Sequence, residues 1–507
     1  MPQHHAAERD LALSLSAPLM PEARRIGIVL AAGHGKRIRS DTSKMLHQIW
    51  GKPTVVRVAG AVQSGLESPN QVIVVGIKAE EVMRAAGASS GRIFAYQESP
   101  VLGLPGGTGD AVRVALDHFP ESTSDRDIFV FPGDMGLLAS DVVSHFRREF
   151  DTAACDMMVL TGLYSGPPEL NYYGRIVRVP PSDHSGAAAG DDEGRVIAIK
   201  EHRDILGLQP GEVERLPYRS RSYSFSREEL LGITEINTLV VAFRERSLRT
   251  YIREMKTDNV QGELMLTDLV EILNHNGLVV QAVQAAREED ILAFNVKSVW
   301  RQMEAVAARR AYERLMDIVT VVDEEDFYVA DEVIEQIVAL DKKVGPLDIV
   351  IGKGVHLGPE VRLDRRVTLG DRCHLTGGIC LGEGVRLGPG VRLSTYPGQT
   401  MVLGARVEVL ARNILKGNLQ IGRDCRIESG VIMTGSDEHP MRVGERVTVK
   451  GTSYLYGCHV DDDLLIEHSV IKGKHVQQVT RRDGTHQPIR YVLPPPEGLD
   501  SIGPLPD

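Results

Sequence analysis

The chain has 507 residues, a hydrophobic content of 42% and a formal net charge of -11. This length and apolar content are enough for two or more domains with real cores, and the negative charge argues against a general nucleic-acid binder. The five cysteines form neither zinc-ligand pairs nor a small disulfide framework, which fits a reducing cytosol and a cytoplasmic protein. No apolar stretch approaches the ~20 residues that span a bilayer, so we expect no membrane span.

Residues 1–24 are predicted to form a disordered tail. After them, short apolar runs such as IGIVL (26–30), VIVVGI (72–77) and DIFVF (127–131) alternate with helical stretches. This alternation predicts an α/β domain with a mostly parallel sheet. Ligands of such sheets bind beyond the carboxyl ends of the strands. The loop after IGIVL and the FPGDMG turn after DIFVF are therefore expected to be neighbours.

The loop after the first run begins with small residues: Ala31, Ala32, Gly33 and Gly35. Small side chains let backbone N–H groups approach a ligand closely. Four cations follow: Lys36, Arg37, Arg39 and Lys44. Positive charge beside backbone amides favours a polyphosphate. The alternative is an ordinary strand-to-helix turn with a solvated basic rim.

Two later segments are interpreted as insertions. PPSDHSGAAAGDDEG (180–194) is small, polar and predicted to be flexible, and RLPYRSRSYSFSREELL (215–231) is basic and aromatic. The second is predicted to be a mobile surface arm, with contact to a ligand or partner as the alternative.

The C-terminal half has a different periodicity. Residues 297–330 read as a helical connector, and from 349 onward apolar residues occupy the first and third positions of successive hexads, as at Val355 and Leu357. A six-residue repeat is typical of a parallel β-helix, predicted here over 331–476. The Pro-rich segment 477–507 is predicted to be a disordered tail.

Taken in order, these motifs resemble the bacterial bifunctional N-acetylglucosamine-1-phosphate uridylyltransferase and glucosamine-1-phosphate acetyltransferase family. The resemblance rests on LAAGHGKR, SDTSKMLH, FPGDMG, NYYGRI, the EH and EINT stretches, and the hexads. It implies a Rossmann-like nucleotidyltransferase domain over 25–296 and a left-handed parallel β-helix of hexapeptide repeats. Four residues depart from the family pattern: Lys36 replaces Thr, Ser43 and Gly136 replace Pro, and Leu239 replaces Gly.

The resemblance also implies roles for single residues. Arg37 and Lys44 would be catalytic, neutralising the triphosphate and the charge that develops during transfer. The loop residues Ala31, Ala32, Gly33 and Gly35 would bind the substrate phosphates. Uracil would be read by Gln97, Gly107 and Thr108. The N-acetylglucosamine moiety would be held by Gly174, Glu201 and Asn237.

Transfer of a nucleotidyl group needs a divalent cation, and Mg²⁺ prefers oxygen ligands. Asp134 is the best candidate, although an isolated Asp in a turn is more often a helix N-cap. The resemblance makes Asn295 the second ligand of the Mg²⁺. Thr267 is interpreted as a framework residue and helix N-cap.

The β-helix half departs further from the family. The acetyl-transfer stretches Gly-His-Leu-Thr-Tyr-Leu-Gly-Asp and Asn-Tyr-Asp-Gly do not occur in this sequence, and His459 is predicted to be structural. We therefore expect no acetyl transfer and a role in assembly as a homotrimer. The predicted reaction joins UTP and N-acetylglucosamine 1-phosphate. The alternatives are another sugar 1-phosphate, such as glucose 1-phosphate, or a regulatory or assembly subunit without catalysis.

Overall fold

The computed structural model describes residues 2–33, 35–98, 102, 106–121, 126–209 and 211–491, excluding the side chains of 2–6 and 36. The chain divides into two compact units, Met1–Glu304 and Ala305–Asp507. The division falls inside a helix, Lys297–Glu313, at the start of the predicted connector. Across the described ranges, none of the helices combines the length and apolar character needed to cross a bilayer.

The strands of the first unit form one large mixed sheet and two hairpins. In chain order they are β1 (Arg25–Ala31), β2 (Gln48–Ile49), β3 (Lys52–Pro53), β4 (Gln71–Val75), β5 (Arg92–Tyr96), β6 (Asp127–Pro132), β7 (Met157–Leu163), β8 (Arg175–Arg178), β9 (Val196–Lys200), β10 (Val213–Tyr218), β11 (Arg221–Ser226), β12 (Glu235–Arg244) and β13 (Val280–Gln284). The large sheet has the order β13-β7-β12-β6-β1-β4-β5, with β8 and β9 branching from β12. Among the described strands of this path, only β12 runs antiparallel to its neighbours.

Helices cover both faces of this sheet. In chain order, the helices up to the unit boundary are α1 (Pro2–Leu15), α2 (Thr54–Leu66), α3 (Ala79–Ala86), α4 (Thr108–Leu116), α5 (Ser140–Thr152), α6 (His202–Gly207), α7 (Arg227–Gly232), α8 (Glu245–Tyr251), α9 (Leu269–His275) and α10 (Lys297–Glu313). Alternate residues of β1 enter two separate cores: Ile28 and Leu30 pack under α4 and α9, and Val29 and Ala31 pack under α2 and α5. A strand that is buried on both faces is apolar throughout, which explains the continuous run IGIVL.

The N-terminal segment is not the disordered tail that its sequence predicts. Helix α1 packs against the edge strand β5, with Ala12 only 5% exposed. The chain after it also bonds to this edge, because Ala17 N–H donates to the Arg92 carbonyl (2.7 Å) and the Ser16 hydroxyl accepts from Phe94 N–H (2.9 Å). The prediction was wrong because it ignored the helical spacing of the segment's apolar residues, which meet the sheet core only in the fold.

The basic and aromatic insertion is likewise ordered. It forms the β10–β11 hairpin, whose Leu216, Tyr223 and Phe225 are buried in a small core of their own together with Val177. The prediction of a mobile arm was therefore wrong, because the alternate residues of the hairpin form an apolar face. The polar insertion packs beside it, with His184 N–H donating to the carbonyl of Ser222 at 3.1 Å.

Over its described residues, the second unit contains the end of α10, three parallel sheets and the helix α11 (Asp331–Val344). The first sheet contains β14 (Thr320–Val321), β16 (Val350–Ile351), β19 (Thr368–Leu369), β22 (Arg386–Leu387), β25 (Glu408–Val409), β28 (Arg426–Ile427), β31 (Thr448–Val449) and β34 (Leu465–Ile466). The second contains β15 (Phe327–Val329), β17 (Val355–Leu357), β20 (His374–Thr376), β23 (Arg392–Ser394), β26 (Ile414–Gly417), β29 (Ile432–Gly435), β32 (Tyr454–Tyr456) and β35 (Val470–Lys472). The third contains β18 (Arg362–Leu363), β21 (Gly378–Leu381), β24 (Thr400–Leu403), β27 (Leu419–Ile421), β30 (Met441–Val443), β33 (His459–Val460) and β36 (His475–Val476).

These sheets are the faces of a parallel β-helix, so the predicted fold class is confirmed. Val350 pairs with Thr368 and Thr368 with Arg386, each 18 residues further along, which is three hexads per coil. The apolar hexad positions, such as Val355 and Leu357, point inward and are buried.

Both predicted ends of the β-helix differ from the structure. Strands β14 and β15 pair with β16 and β17, so the first coil begins at Thr320, inside the predicted connector, and α11 interrupts it. At the other end Val470 N–H donates to the Tyr491 carbonyl (2.6 Å), so part of the predicted disordered tail covers the last coil. Residues 492–507 lie outside the described residues.

Candidate active site

The predicted site residues gather at the carboxyl edge of the parallel strands. Strands β1, β5 and β6 run parallel within the sheet, and the chain leaves them toward Gly33, Gln97 and Asp134 respectively. Gly133 N–H donates to the Leu30 carbonyl at 2.9 Å. The opening loop and the FPGDMG turn are therefore neighbours, as the sequence predicts.

The opening loop has a tight backbone. Ala31 and Ala32 are buried, whereas Gly33 is exposed and a Cβ atom there would face open space. Gly35 has φ 77°, and a Cβ atom on it would lie 2.9 Å from Cβ of Lys44. Glycine is thus required at position 35 both by conformation and by the approach of Lys44.

The cations of this loop have different surroundings. Arg37 belongs to a one-turn 3-10 helix, Lys36–Ile38, and its side chain is exposed to solvent. The side chain of Lys36 is not among those that the structure describes. Lys44 is buried, with only 8% of the residue exposed. Lys44 is therefore a loop cation held inside the protein.

Lys44, Asp134 and Asn295 meet although they lie far apart in the sequence. The Nζ of Lys44 forms an ion pair with Oδ2 of Asp134 and donates to Oδ1 of Asn295 at 2.8 Å. The aromatic ring of Phe294 lies beside them, its centroid 5.7 Å from the same Nζ. Asp134 does not act as the N-cap of α5, because Ala139 occupies that position.

This arrangement fits a divalent cation. A carboxylate oxygen and an amide oxygen converge on one positive group, and Mg²⁺ takes such oxygen ligands. Among the described residues no group of three or more His, Cys, Asp or Glu could hold a metal ion. Because their oxygens meet at one point, Asp134 and Asn295 would hold Mg²⁺ as a pair, with water and substrate phosphates supplying the remaining ligands.

The predicted base-reading residues also meet. Gln97 is only 2% exposed, and its Nε2 donates to the Gly107 carbonyl at 3.3 Å and to Oδ2 of Asp110 at 2.8 Å. Thr108 starts helix α4, and its hydroxyl accepts from Leu266 N–H at 3.0 Å. Most of the intervening SPVLGLPG stretch lies outside the described residues. Asp110 is a contact that the sequence analysis missed, although it lies one helical turn from Gly107.

The three predicted sugar-binding positions form one cluster. Asn237 N–H donates to the Gly174 carbonyl at 2.9 Å, and a Cβ atom on Gly174 would lie 3.1 Å from Oε1 of Glu201. A side chain at position 174 would therefore push against that carboxylate. Leu239 N–H donates to Oδ1 of Asn237 at 2.9 Å within a β-bulge.

The carboxyl of Glu201 has a perturbed environment. Burial and the nearby charge of Asp204 raise its pKa, while a hydrogen bond from Thr267 and the charge of Arg175 act in the opposite direction. Thr267 is 5% exposed and lies in the 3-10 turn Leu266–Asp268. It does not cap α9, whose N-cap is Asp268, so its predicted N-cap role was wrong. Its hydroxyl instead positions Glu201.

Comparison with known proteins identifies the relatives of this chain. Residues 27–203 match the family model described as MobA-like NTP transferase domain. The bifunctional protein GlmU of Carboxydothermus hydrogenoformans is 29% identical over 471 residues, 89% of this chain and 90% of that protein. The proteins of the same name from Caldanaerobacter subterraneus subsp. tengcongensis (27%, covering 89% and 86%) and Acetivibrio thermocellus (28%, covering 86% and 88%) are similar as well. The resemblance to the bifunctional GlmU family is confirmed.

The nucleotidyltransferase domain accommodates the departures from that family's pattern. Ser43 is fully buried with φ -56°, a value that proline itself adopts. Gly136 is packed closely, since a Cβ atom there would lie 2.8 Å from side-chain atoms of Ile49 and Thr54. Leu239 has φ 64°, a left-handed conformation that glycine adopts without strain.

Two further residues of the nucleotidyltransferase domain connect the sugar cluster with the ion pair. Arg175 is fully buried, which lowers its pKa, and it donates to the carbonyls of Tyr173 and Asn171. Burial and then the charge of Asp134 raise the pKa of Tyr173. Tyr173 therefore lies near the proposed metal ligand. The sequence signal was its position directly before Gly174 in NYYGRI.

Proposed function

We propose that this protein transfers a uridylyl group from UTP to N-acetylglucosamine 1-phosphate and releases pyrophosphate, with Mg²⁺ as cofactor. The observation that carries the proposal is the convergence of Lys44, Asp134 and Asn295 at the carboxyl edge of the sheet. A cation and two oxygen ligands beside an open glycine loop are the parts that nucleotidyl transfer needs.

In the proposed reaction an oxygen of the sugar 1-phosphate attacks the α-phosphorus of UTP, and the bond to the β-phosphate oxygen breaks. No enzyme nucleophile is needed, because positioning and charge stabilisation account for phosphoryl-type transfer. Bound Mg²⁺ would neutralise phosphate charge. With Asp134 and Asn295 as ligands of the cation, the Lys44 ammonium would donate to phosphate oxygens. Arg37, which is exposed on its turn, would approach from the solvent side.

The sugar would be held by the Gly174, Glu201 and Asn237 cluster. Glu201 can accept hydrogen bonds from sugar hydroxyls, and a buried polar site of this kind rejects analogues that leave it unpaired. Support for an N-acetylglucosamine substrate comes from the match with the bifunctional relatives. Glucose 1-phosphate remains the second candidate within the same reaction.

For the second unit we propose a role in assembly without acetyl transfer. The acetyl-transfer stretches are not in the sequence, and His459 stacks on His475 with ring centroids 4.9 Å apart on an outer face. Flat parallel faces suit packing around a closed symmetry axis, and we propose a homotrimer.

The proposed reaction is tested by measuring pyrophosphate release for each nucleoside triphosphate with several sugar 1-phosphates. We expect UTP with N-acetylglucosamine 1-phosphate to react at least tenfold better than UTP with glucose 1-phosphate, a difference of about 1.4 kcal/mol. Equal use of the two sugars would refute the sugar assignment. No release with any pair would refute catalysis and favour a regulatory subunit.

A further inference from the structure

The side-chain amide of Gln97 is held in one orientation by its neighbours. Its Nε2 lies 2.8 Å from Oδ2 of Asp110 and 3.3 Å from the carbonyl oxygen of Gly107. A carbonyl oxygen only accepts hydrogen bonds, and so does an ionised carboxylate. The amide atom that faces both of them must therefore be the NH₂ group.

Asp110 is itself fixed as an acceptor. It is 6% exposed, and its other oxygen, Oδ1, accepts from Nη2 of Arg113 at 3.0 Å. Arg113 lies on the exposed side of α4 and forms an ion pair with Asp110 through its guanidinium. The guanidinium holds the carboxylate, and the carboxylate holds the amide.

This chain of contacts leaves Gln97 with its oxygen, Oε1, on the side away from both acceptors. Rotating the amide by 180° would place Oε1 against the Asp110 carboxylate and the Gly107 carbonyl. Such an arrangement of three acceptors is unfavourable because buried acceptors would lose their donors. The side of the Gln97 amide that faces neither Asp110 nor Gly107 therefore presents a hydrogen-bond acceptor.

We propose that Asp110 is a positioning residue that sets the base preference of the site by turning Oε1 of Gln97 toward the nucleotide. An acceptor at that point favours a pyrimidine with an N3–H donor, such as uracil, over cytosine, whose unprotonated N3 is another acceptor. This inference rests on the proposed function, because it assigns the substrate class of the same site.

UTP and CTP are the informative pair because they differ only on this edge of the base. We expect kcat/KM of the wild-type chain to favour UTP over CTP at least a hundredfold. In Asp110→Asn the amide oxygen still accepts from Arg113, so the new NH₂ group faces Gln97 and favours Oε1 there, while the Gly107 carbonyl still favours Nε2. Both orientations of Gln97 therefore become possible. The ratio should then fall at least tenfold, mainly through a lower KM for CTP.

The matched control is Asp117→Asn, the same substitution on the exposed C-cap of α4, which should leave the ratio unchanged. A purely structural role for Asp110 would lower both activities together and preserve the ratio. As a second test, Asp110→Asn should have no further effect on the ratio in a Gln97→Met background.

Three results would overturn the inference. They are equal use of UTP and CTP by the wild type, an unchanged ratio in Asp110→Asn whether or not both activities fall, and a full effect of Asp110→Asn in the Gln97→Met background. The second and third would leave the proposed function intact. No turnover of any nucleoside triphosphate by the wild type would overturn both proposals.

Discussion

Replacing Lys44 by Met tests whether its ammonium occupies the place of a divalent cation. The variant keeps an unbranched side chain of similar length but loses the charge that pairs with Asp134. Because Asp134 and Asn295 would then face no cation, we expect metal binding in the absence of nucleotide to become tighter. Turnover should nevertheless fall, because the same ammonium is proposed to contact the substrate phosphates.

The magnitude follows from the burial of the pair. The side chains of Lys44 and Asp134 are each only 10% exposed. Removing one partner of a buried ion pair costs about 3 kcal/mol or more. We therefore expect the metal-free variant to lose about 3 kcal/mol in its free energy of unfolding and to regain part of it with Mg²⁺. In the wild type a metal ion must displace the Lys44 ammonium from Asp134 and Asn295, and the variant avoids this cost. Its metal affinity should therefore be 10-fold to 100-fold higher, about 1.4 to 2.7 kcal/mol.

The assay is titration calorimetry with Mn²⁺ as the probe, together with thermal unfolding with and without Mg²⁺. Lys353→Met is the matched control, since Lys353 also pairs with an aspartate, Asp323 (2.7 Å), but is 52% exposed. It should leave both metal affinity and stability nearly unchanged, because an exposed ion pair contributes little to stability. Unchanged Mn²⁺ affinity and unchanged stability in Lys44→Met would refute the reasoning.

Four other predictions follow from the structure. Gly174→Ala should raise the KM for sugar 1-phosphate about tenfold (about 1.4 kcal/mol) without raising that for UTP, since the new Cβ would lie 3.1 Å from Oε1 of Glu201; an unchanged sugar KM contradicts this. Thr267→Val removes a hydrogen bond that lowers the pKa of Glu201, so the acid limb of the pH profile for the sugar should move to higher pH, while Thr267→Ser should keep the wild-type profile. Burial and nearby carboxylates raise the pKa of Asp268 from 3.8 to about 7, so the folded state holds a proton that the unfolded state has lost between these pH values. The free energy of unfolding of the wild type should then fall relative to that of Asp268→Asn as the pH rises through that window. The same difference between the two proteins at pH 4 and at pH 8, measured by chemical denaturation, would contradict this prediction. A chain ending at Arg310 should retain nucleotidyl transfer yet contain fewer subunits per particle than the full chain when light scattering gives both molar masses; the same number of subunits in both would exclude assembly through the β-helix.

The repeating parts of the fold were predictable because their buried apolar side chains recur at a fixed spacing in the sequence. The hexads after 349 predict the β-helix, since every coil buries the same two positions of each hexad. The first coil was not predicted, because α11 separates β14 and β15 from the remaining coils and interrupts the hexad spacing. Helix α1 and the β10–β11 hairpin were predicted to be disordered or mobile for a related reason. Their apolar faces are stable only against partners distant in sequence.

The candidate site likewise contains residues that the sequence predicted and residues that it missed. Lys44, Asp134 and Asn295 were predicted from motifs, and they meet in the structure. Motif residues of this kind lie at the carboxyl edge of the sheet, where a ligand would bind. Residues that orient them carry no such signal. Asp110 and Thr267 are ordinary helix or turn residues in sequence, and their contacts with Gln97 and Glu201 depend on how separate loops approach one another.

The most direct test of the account is product formation from UTP and N-acetylglucosamine 1-phosphate by the wild type and by Asp134→Ala, each with and without Mg²⁺. Mass spectrometry of the sugar nucleotide and circular dichroism of both proteins complete the measurement. We expect the wild type to form UDP-N-acetylglucosamine only with Mg²⁺, and Asp134→Ala to remain folded and form at least a hundredfold less, about 2.7 kcal/mol in transition-state stabilisation. Product formation by the wild type without a divalent cation, or full activity in Asp134→Ala, would contradict the account.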